Sequence, residues 1–215
     1  MRDTEIPRWQ VLLLGFLCEG GLALLAWALG WLTNHLPWET LHWQARDAFL
    51  GVAASLPMLL VFLLMLRWPI GPLARIQQFS EEVIRPLFAS CTILHLAIIS
   101  VLAGVGEEML FRGVLQAAFT QWWGPWFGII AASVLFGAVH PITPAYVVLA
   151  AALGVYLGYV WVASGNLLVV IVAHALYDFL ALIFLMRGTS PASNPDEDLL
   201  PVQPQARQPK DGQDR

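Results

Sequence analysis

Apolar residues run through this chain in long unbroken stretches, with polar residues gathered between them. A helix needs roughly 20 apolar residues to cross a bilayer core. On that measure the sequence predicts spans at 9–32, 48–66, 91–120, 125–140, 145–163 and 166–186. The expected fold class is therefore all-α: a polytopic transmembrane bundle of six spans, or seven if the overlong third stretch breaks at Gly104 and Gly106. The first run is too long for the apolar core of a signal peptide, and no small-residue cleavage pattern follows it. It reads as a first transmembrane helix.

Composition agrees. Of 215 residues, 58% are hydrophobic and 12% charged, about half the charged fraction of a soluble domain. So few charges cannot cover a polar surface, and lipid must solvate much of the exterior. The net charge of -4 and the lack of a basic stripe exclude nucleic acid as a partner. Cys18 and Cys91 both lie in apolar runs and are expected to act as small buried hydrophobes, not as a disulfide or metal framework.

The loops give an orientation. Arg2, Arg8, Arg67, Arg75, Arg85, Arg187, Arg207, Lys210 and Arg215 fall on one side of a six-span chain, with Arg46 on the other and Arg112 inside a span. The positive-inside rule then puts both termini of a multi-pass cell-membrane protein in the cytoplasm. Trp9, Trp31, Trp38, Trp43, Trp68, Trp122, Trp123, Trp126 and Trp161 cluster at or near the span ends and are expected to anchor them at the interface. Residues 188–215, rich in Pro, Gln, Asp and Ser, cannot bury a core and are expected to form a disordered cytoplasmic tail.

Ionisable groups within apolar spans are costly and mark function by default. Here they are Glu19, His95, Glu107, Glu108, Arg112, His140, His174 and Asp178. Glu108 and Arg112, four residues apart, share a helix face and can neutralise each other, whereas Glu107 is rotated away and lacks a partner. An unpaired carboxylate in low dielectric is a candidate proton acceptor. Glu107 and His140 stand at nearly equal distances on either side of the turn at Gly124-Pro125, so an antiparallel hairpin brings them level. His174 and Asp178 form a second i, i+4 pair that approaches the same depth from the last span. An ionised Asp178 can only accept hydrogen bonds and would orient His174. His95 is expected to pack or sit at the interface, and Glu19 to hydrogen-bond within the bundle.

Glu107-Glu108-x-x-x-Arg112, Phe136-x-x-x-His140 and His174-x-x-x-Asp178, in this order on successive apolar helices, resemble the CAAX-protease and bacteriocin-processing family. That family is also called CPBP or Abi and includes the type II CAAX prenyl endopeptidases. The resemblance divides the chain into a two-span region (1–85), the protease-like region (86–187) and the tail (188–215). It implies an intramembrane endopeptidase in which Glu107 and His140 activate a water, His174 and Asp178 stabilise the oxyanion, and Glu108 and Arg112 brace the site. Many relatives carry Asn where this chain has Asp178.

No serine or cysteine near the cluster has a matched base, which disfavours a covalent route. The family is often labelled a metalloprotease, and Glu107, His140 and His174 could hold Zn²⁺ with a position left for water. The absence of His-Glu-x-x-His and the charge of Arg112 favour a route without a cofactor. The partners expected are the bilayer and a peptide or lipidated peptide. A non-catalytic scaffold or immunity protein of the same family is the first alternative, and a proton-coupled transporter the second, although no inverted repeat is visible.

Overall fold

The computed structural model describes residues 6–187, and every regular element among them is a helix. The predicted tail lies outside the described residues. Seven helices succeed one another: α1 (Arg8–Thr33), α2 (Ala45–Arg67), α3 (72–88), α4 (Ile93–Trp123), α5 (Pro125–Ala138), α6 (Pro144–Ser164) and α7 (Leu167–Arg187). Five of them (α1, α2, α4, α6 and α7) are long and apolar enough to cross a membrane. The fourth predicted span is α5, whose 14 residues reach only about 21 Å against a hydrocarbon core of roughly 30 Å.

Close helix contacts fix the directions. Gly15 lies against Ile99 and Gly106 against the Glu19 carbonyl, so α1 and α4 are parallel. Gly104 meets Ile171 and Ala175 while Gly113 meets Leu167, so α4 and α7 are antiparallel. Gly51 touches Val169 and Val172, and Phe62 packs edge-on to Tyr177 and Phe184, so α2 runs with α7. Gly137 and Ser133 face Ala151 and Gly154, which makes α5 and α6 antiparallel. Helices α1, α4 and α6 therefore run one way and α2, α5 and α7 the other. Arg8 and Arg187 lie at the same end, with Arg67, Arg75 and Arg85; Arg46 lies at the opposite end.

The expected break at Gly104 and Gly106 does not occur. Helix α4 is continuous over 31 residues, because those glycines provide close approach. A Cβ on Gly106 would fall 2.5 Å from the Glu19 carbonyl, and one on Gly104 would meet Ala175 at 2.9 Å. The irregularity comes later: over Met109–Gln116 the helix widens to π geometry, which recurs at functional sites.

The cysteine reading is also corrected. Cys18 is exposed on the outer face of α1 and Cys91 is half-exposed before α4; both are free. An apolar run marks a residue as lipid-soluble, not as buried in protein. Trp161, expected at the interface, instead packs beside the Met58–Leu157–Leu167 core with its indole Nε1 buried.

Candidate active site

Because α5 stops short of a full crossing, His140 is left at depth just beyond its end. Non-helical backbone at such a depth is tolerated where it lines a cavity and its groups are satisfied. Here the His140 amide donates to the Gly137 carbonyl at 3.0 Å, and the Ile142 amide to the His140 carbonyl at 2.8 Å. Helix α6 then restarts at Pro144, capped by the Thr143 hydroxyl, which accepts from the Tyr146 amide at 3.1 Å.

Phe136, one turn before His140, holds three parts of the site. Its carbonyl accepts from His140 Nδ1 at 2.7 Å. Its ring lies 4.7 Å from the His140 ring and under the Arg112 guanidinium, also at 4.7 Å, within cation–π range. Phe111 closes against it edge-on at 5.0 Å.

Glu108 is fully buried and its Oε1 accepts two charge-assisted hydrogen bonds, from Arg112 Nη1 at 2.7 Å and from His174 Nδ1 at 2.6 Å. Arg112 spends a second nitrogen on the Gly154 carbonyl at 3.1 Å, and Gln116, one turn on, donates to the Gly158 carbonyl at 3.0 Å. The two side chains thus clamp α6 to α4 through successive turns of each. Sequence reasoning missed Gln116, though it repeats the Arg112 spacing just as Gly158 repeats that of Gly154.

Glu107 is the opposite case. Its Oε2 is buried without a hydrogen-bond partner and lies 3.9 Å from Nε2 of both His140 and His174. That separation is too long for a direct hydrogen bond and is the kind a bridging water spans. With Nδ1 donating to Phe136, neutral His140 turns a lone pair on Nε2 toward Glu107. His174, with Nδ1 donating to Glu108, can donate from Nε2 only when the ring carries both protons. Asp178 Oδ2 stands 3.5 Å from His174 Nε2, a longer contact than the 2.6 Å one that Glu108 makes to Nδ1.

These groups line a cavity of about 90 Å³ with Met58, Tyr146, Leu149, Leu153 and Tyr177, room for several waters. Tyr146 and Tyr177 were not anticipated. Their hydroxyls have no hydrogen-bond partner among the described residues, and the Tyr146 ring lies 6.2 Å from that of His140. A tyrosine in an apolar helix beside a motif residue, as Tyr177 beside Asp178, was the available signal.

Of the remaining candidates, His95 stands apart: its Nδ1 and amide close a capping box with Thr92 at the start of α4. Glu19 was expected to hydrogen-bond within the bundle, yet its Oε2 is buried without a partner.

Zinc fits poorly. Donors at roughly 2.1 Å around a tetrahedral ion lie about 3.4 Å apart, whereas Glu107 is 3.9 Å from each histidine. Among the described residues no three His, Cys, Asp or Glu side chains are disposed to hold a metal ion.

Fold and site together define a multi-pass α-helical membrane protein with a carboxylate–histidine cluster at mid-depth. Residues 89–180, which contain that cluster, match the model of the Rce1-like type II CAAX prenyl endopeptidases. The chain is also similar to the uncharacterized protein YpbD of Bacillus subtilis (strain 168), with 27% identity over 145 residues, covering 63% of this chain and 69% of the relative. No solved structure matches it.

Proposed function

We propose that this protein is an intramembrane endopeptidase that hydrolyses a peptide bond with a water activated by Glu107 and His140. The observation that carries the reading is the unpartnered Oε2 of Glu107, 3.9 Å from Nε2 of two histidines. A water between Glu107 and His140 gives up a proton to this pair, and the resulting hydroxide adds to the substrate carbonyl carbon. The carbonyl oxygen becomes an oxyanion, met by Nε2–H of doubly protonated His174 and by the residue at 178. Collapse expels the amine, which takes the proton held by the Glu107–His140 pair. Arg112 and Glu108 hold the frame. No step is routed through a metal, so cleavage should persist after dialysis against a chelator.

The substrate class is a peptide or lipidated peptide entering from the end that carries Arg8 and Arg187. The basic residues Arg8, Arg67, Arg75, Arg85 and Arg187 against Arg46 make that end cytoplasmic. A reporter fused after residue 215 should be active in the cytoplasm and one in the loop near Arg46 outside it; the reverse result overturns the orientation.

The catalytic reading is tested by expressing Glu107→Gln with a photo-crosslinker at Leu149 and identifying the peptides captured. Wild type should cleave those peptides and the variant should not. A variant that cleaves as well as wild type removes Glu107 from the mechanism, and a wild type that cleaves none of the captured peptides points to a non-catalytic protein.

A further inference from the structure

Away from the site, two apolar hollows adjoin where α2, α3 and α7 meet, at the arginine-rich end. One, of about 500 Å³, is walled by Leu59, Phe62, Leu63 and Phe184, with Arg187 at its edge. The other, of about 550 Å³, contains Leu66, Arg67 and Leu185 and shares Leu63 and Phe184 with the first. The pair therefore forms two arms of one groove, divided at Leu63 and Phe184.

Charge distinguishes this groove from an ordinary lipid-facing surface. Arg67 ends α2 and Arg187 ends α7, and the two helices run in the same direction, so both guanidiniums stand at the same end of the bundle. Both residues are exposed, and neither forms an ion pair among the described residues. Glu81, which borders the second arm, is held by Arg85 at 2.7 Å, and Glu82 accepts from the Gln78 amide at 2.8 Å.

We propose that this groove binds one anionic diacyl glycerophospholipid, with a chain in each arm and the phosphate between Arg67 and Arg187. Apolar walls accept any acyl chain, so the arginines supply the selectivity. A basic residue at a membrane surface adds roughly fivefold in affinity for anionic lipid, and two add about twenty-fivefold. The lipid sits one ring pair from the catalytic cavity. Phe62 walls the groove and packs edge-on to Tyr177 at 6.4 Å, and Tyr177 lines the cavity. An occupied groove braces that wall.

The test uses the purified full chain in detergent, titrated with dioleoyl phosphatidylglycerol or dioleoyl phosphatidylcholine and read by mass spectrometry of the intact complex. One phosphatidylglycerol should bind per chain, at least tenfold tighter than phosphatidylcholine. Arg67→Ala with Arg187→Ala should erase the preference, Leu63→Trp should weaken both lipids, and Arg46→Ala should change neither. Because both arginines are exposed, the double variant carries the test even if Leu63→Trp fails to fold. Equal affinity for the two lipids, or a preference that survives the double variant, overturns the proposal. So does displacement of the lipid by equimolar glycerol 3-phosphate, which would reveal a charge patch alone. A protein dimer that Leu63→Trp dissociates would show a second copy in the groove and also overturns it.

Discussion

Two buried polar clusters sit at different heights in the bundle, and their hydrogen bonding is opposite in kind. At the end bearing Arg46, Asn166 is 2% exposed and its side chain makes four hydrogen bonds. Its Nδ2 donates to the His42 carbonyl at 2.8 Å and to Asp47 Oδ2 at 2.7 Å; its Oδ1 accepts from the amides of His42 and Leu168, both at 3.0 Å. At mid-depth, by contrast, the Oε2 atoms of Glu19, Glu107 and Glu108 are all buried without partners. Buried polar groups are ordinarily satisfied because leaving one unpaired costs about 1–3 kcal/mol. The Asn166 cluster follows that rule and ties the 34–44 loop and α2 to α7. The mid-depth cluster violates it where substrate and water would be handled, as expected of a site that trades stability for chemistry.

The largest effect should come from Arg112→Ala, which removes the positive charge that both neutralises Glu108 and holds α6. Truncating one partner of a buried pair costs about 3–5 kcal/mol, so the variant should lose most folded protein in detergent as well as its activity. Normal thermal unfolding of this variant would erase the distinction between frame and catalyst. Glu107→Gln should sharpen it. Cleavage should fall by about a thousandfold or more, with the unfolding temperature unchanged or raised, since an unpartnered buried carboxylate is replaced by a neutral amide.

The two clusters also differ in how legible they were in the sequence. Ionisable residues stand out in apolar helices, and the hairpin count that set Glu107 level with His140 needs only the rise per residue. What the sequence could not display is who bonds to whom across helices. The role of Glu108 in holding His174 depends on the α4–α7 crossing, where Gly104 lets the backbone at Ile171 and Ala175 approach closely. Asn166 drew no notice because it lies at a turn, where a polar residue is unremarked, and its partners His42 and Asp47 are more than a hundred positions away. Glycines read as a break turned out to be contact points: a missing side chain permits a bend or a close neighbour, and periodicity does not tell which.

A mid-sized effect is expected at the other cluster. Asn166→Ala strands the His42 and Leu168 amides, and at about 1–3 kcal/mol it should lower the unfolding temperature by several degrees. Cleavage per folded molecule should be unchanged, because no bond of Asn166 reaches the cavity. A fall in activity with stability intact would mean that the two clusters are coupled through α7.

The smallest effect is expected at Asp178, where two carboxylates compete for the role of orienting His174. Glu108 Oε1 holds Nδ1 at 2.6 Å in a fully buried contact, whereas Asp178 Oδ2 lies 3.5 Å from Nε2 on the more exposed wall of the cavity. The short bond fixes the ring, so Asp178 is not needed for orientation. Its place beside Nε2 suits a second contact to the oxyanion, which an amide N–H makes as well as a protonated carboxyl. Asp178→Asn should therefore change kcat by less than about tenfold, while Glu108→Gln, which disturbs both Arg112 and His174, should lose more than about a hundredfold. Steady-state kinetics of the two variants decide between the carboxylates. If Asp178→Asn loses more than Glu108→Gln at matched folded concentration, Asp178 is the orienter and the short Glu108 contact belongs to the frame alone.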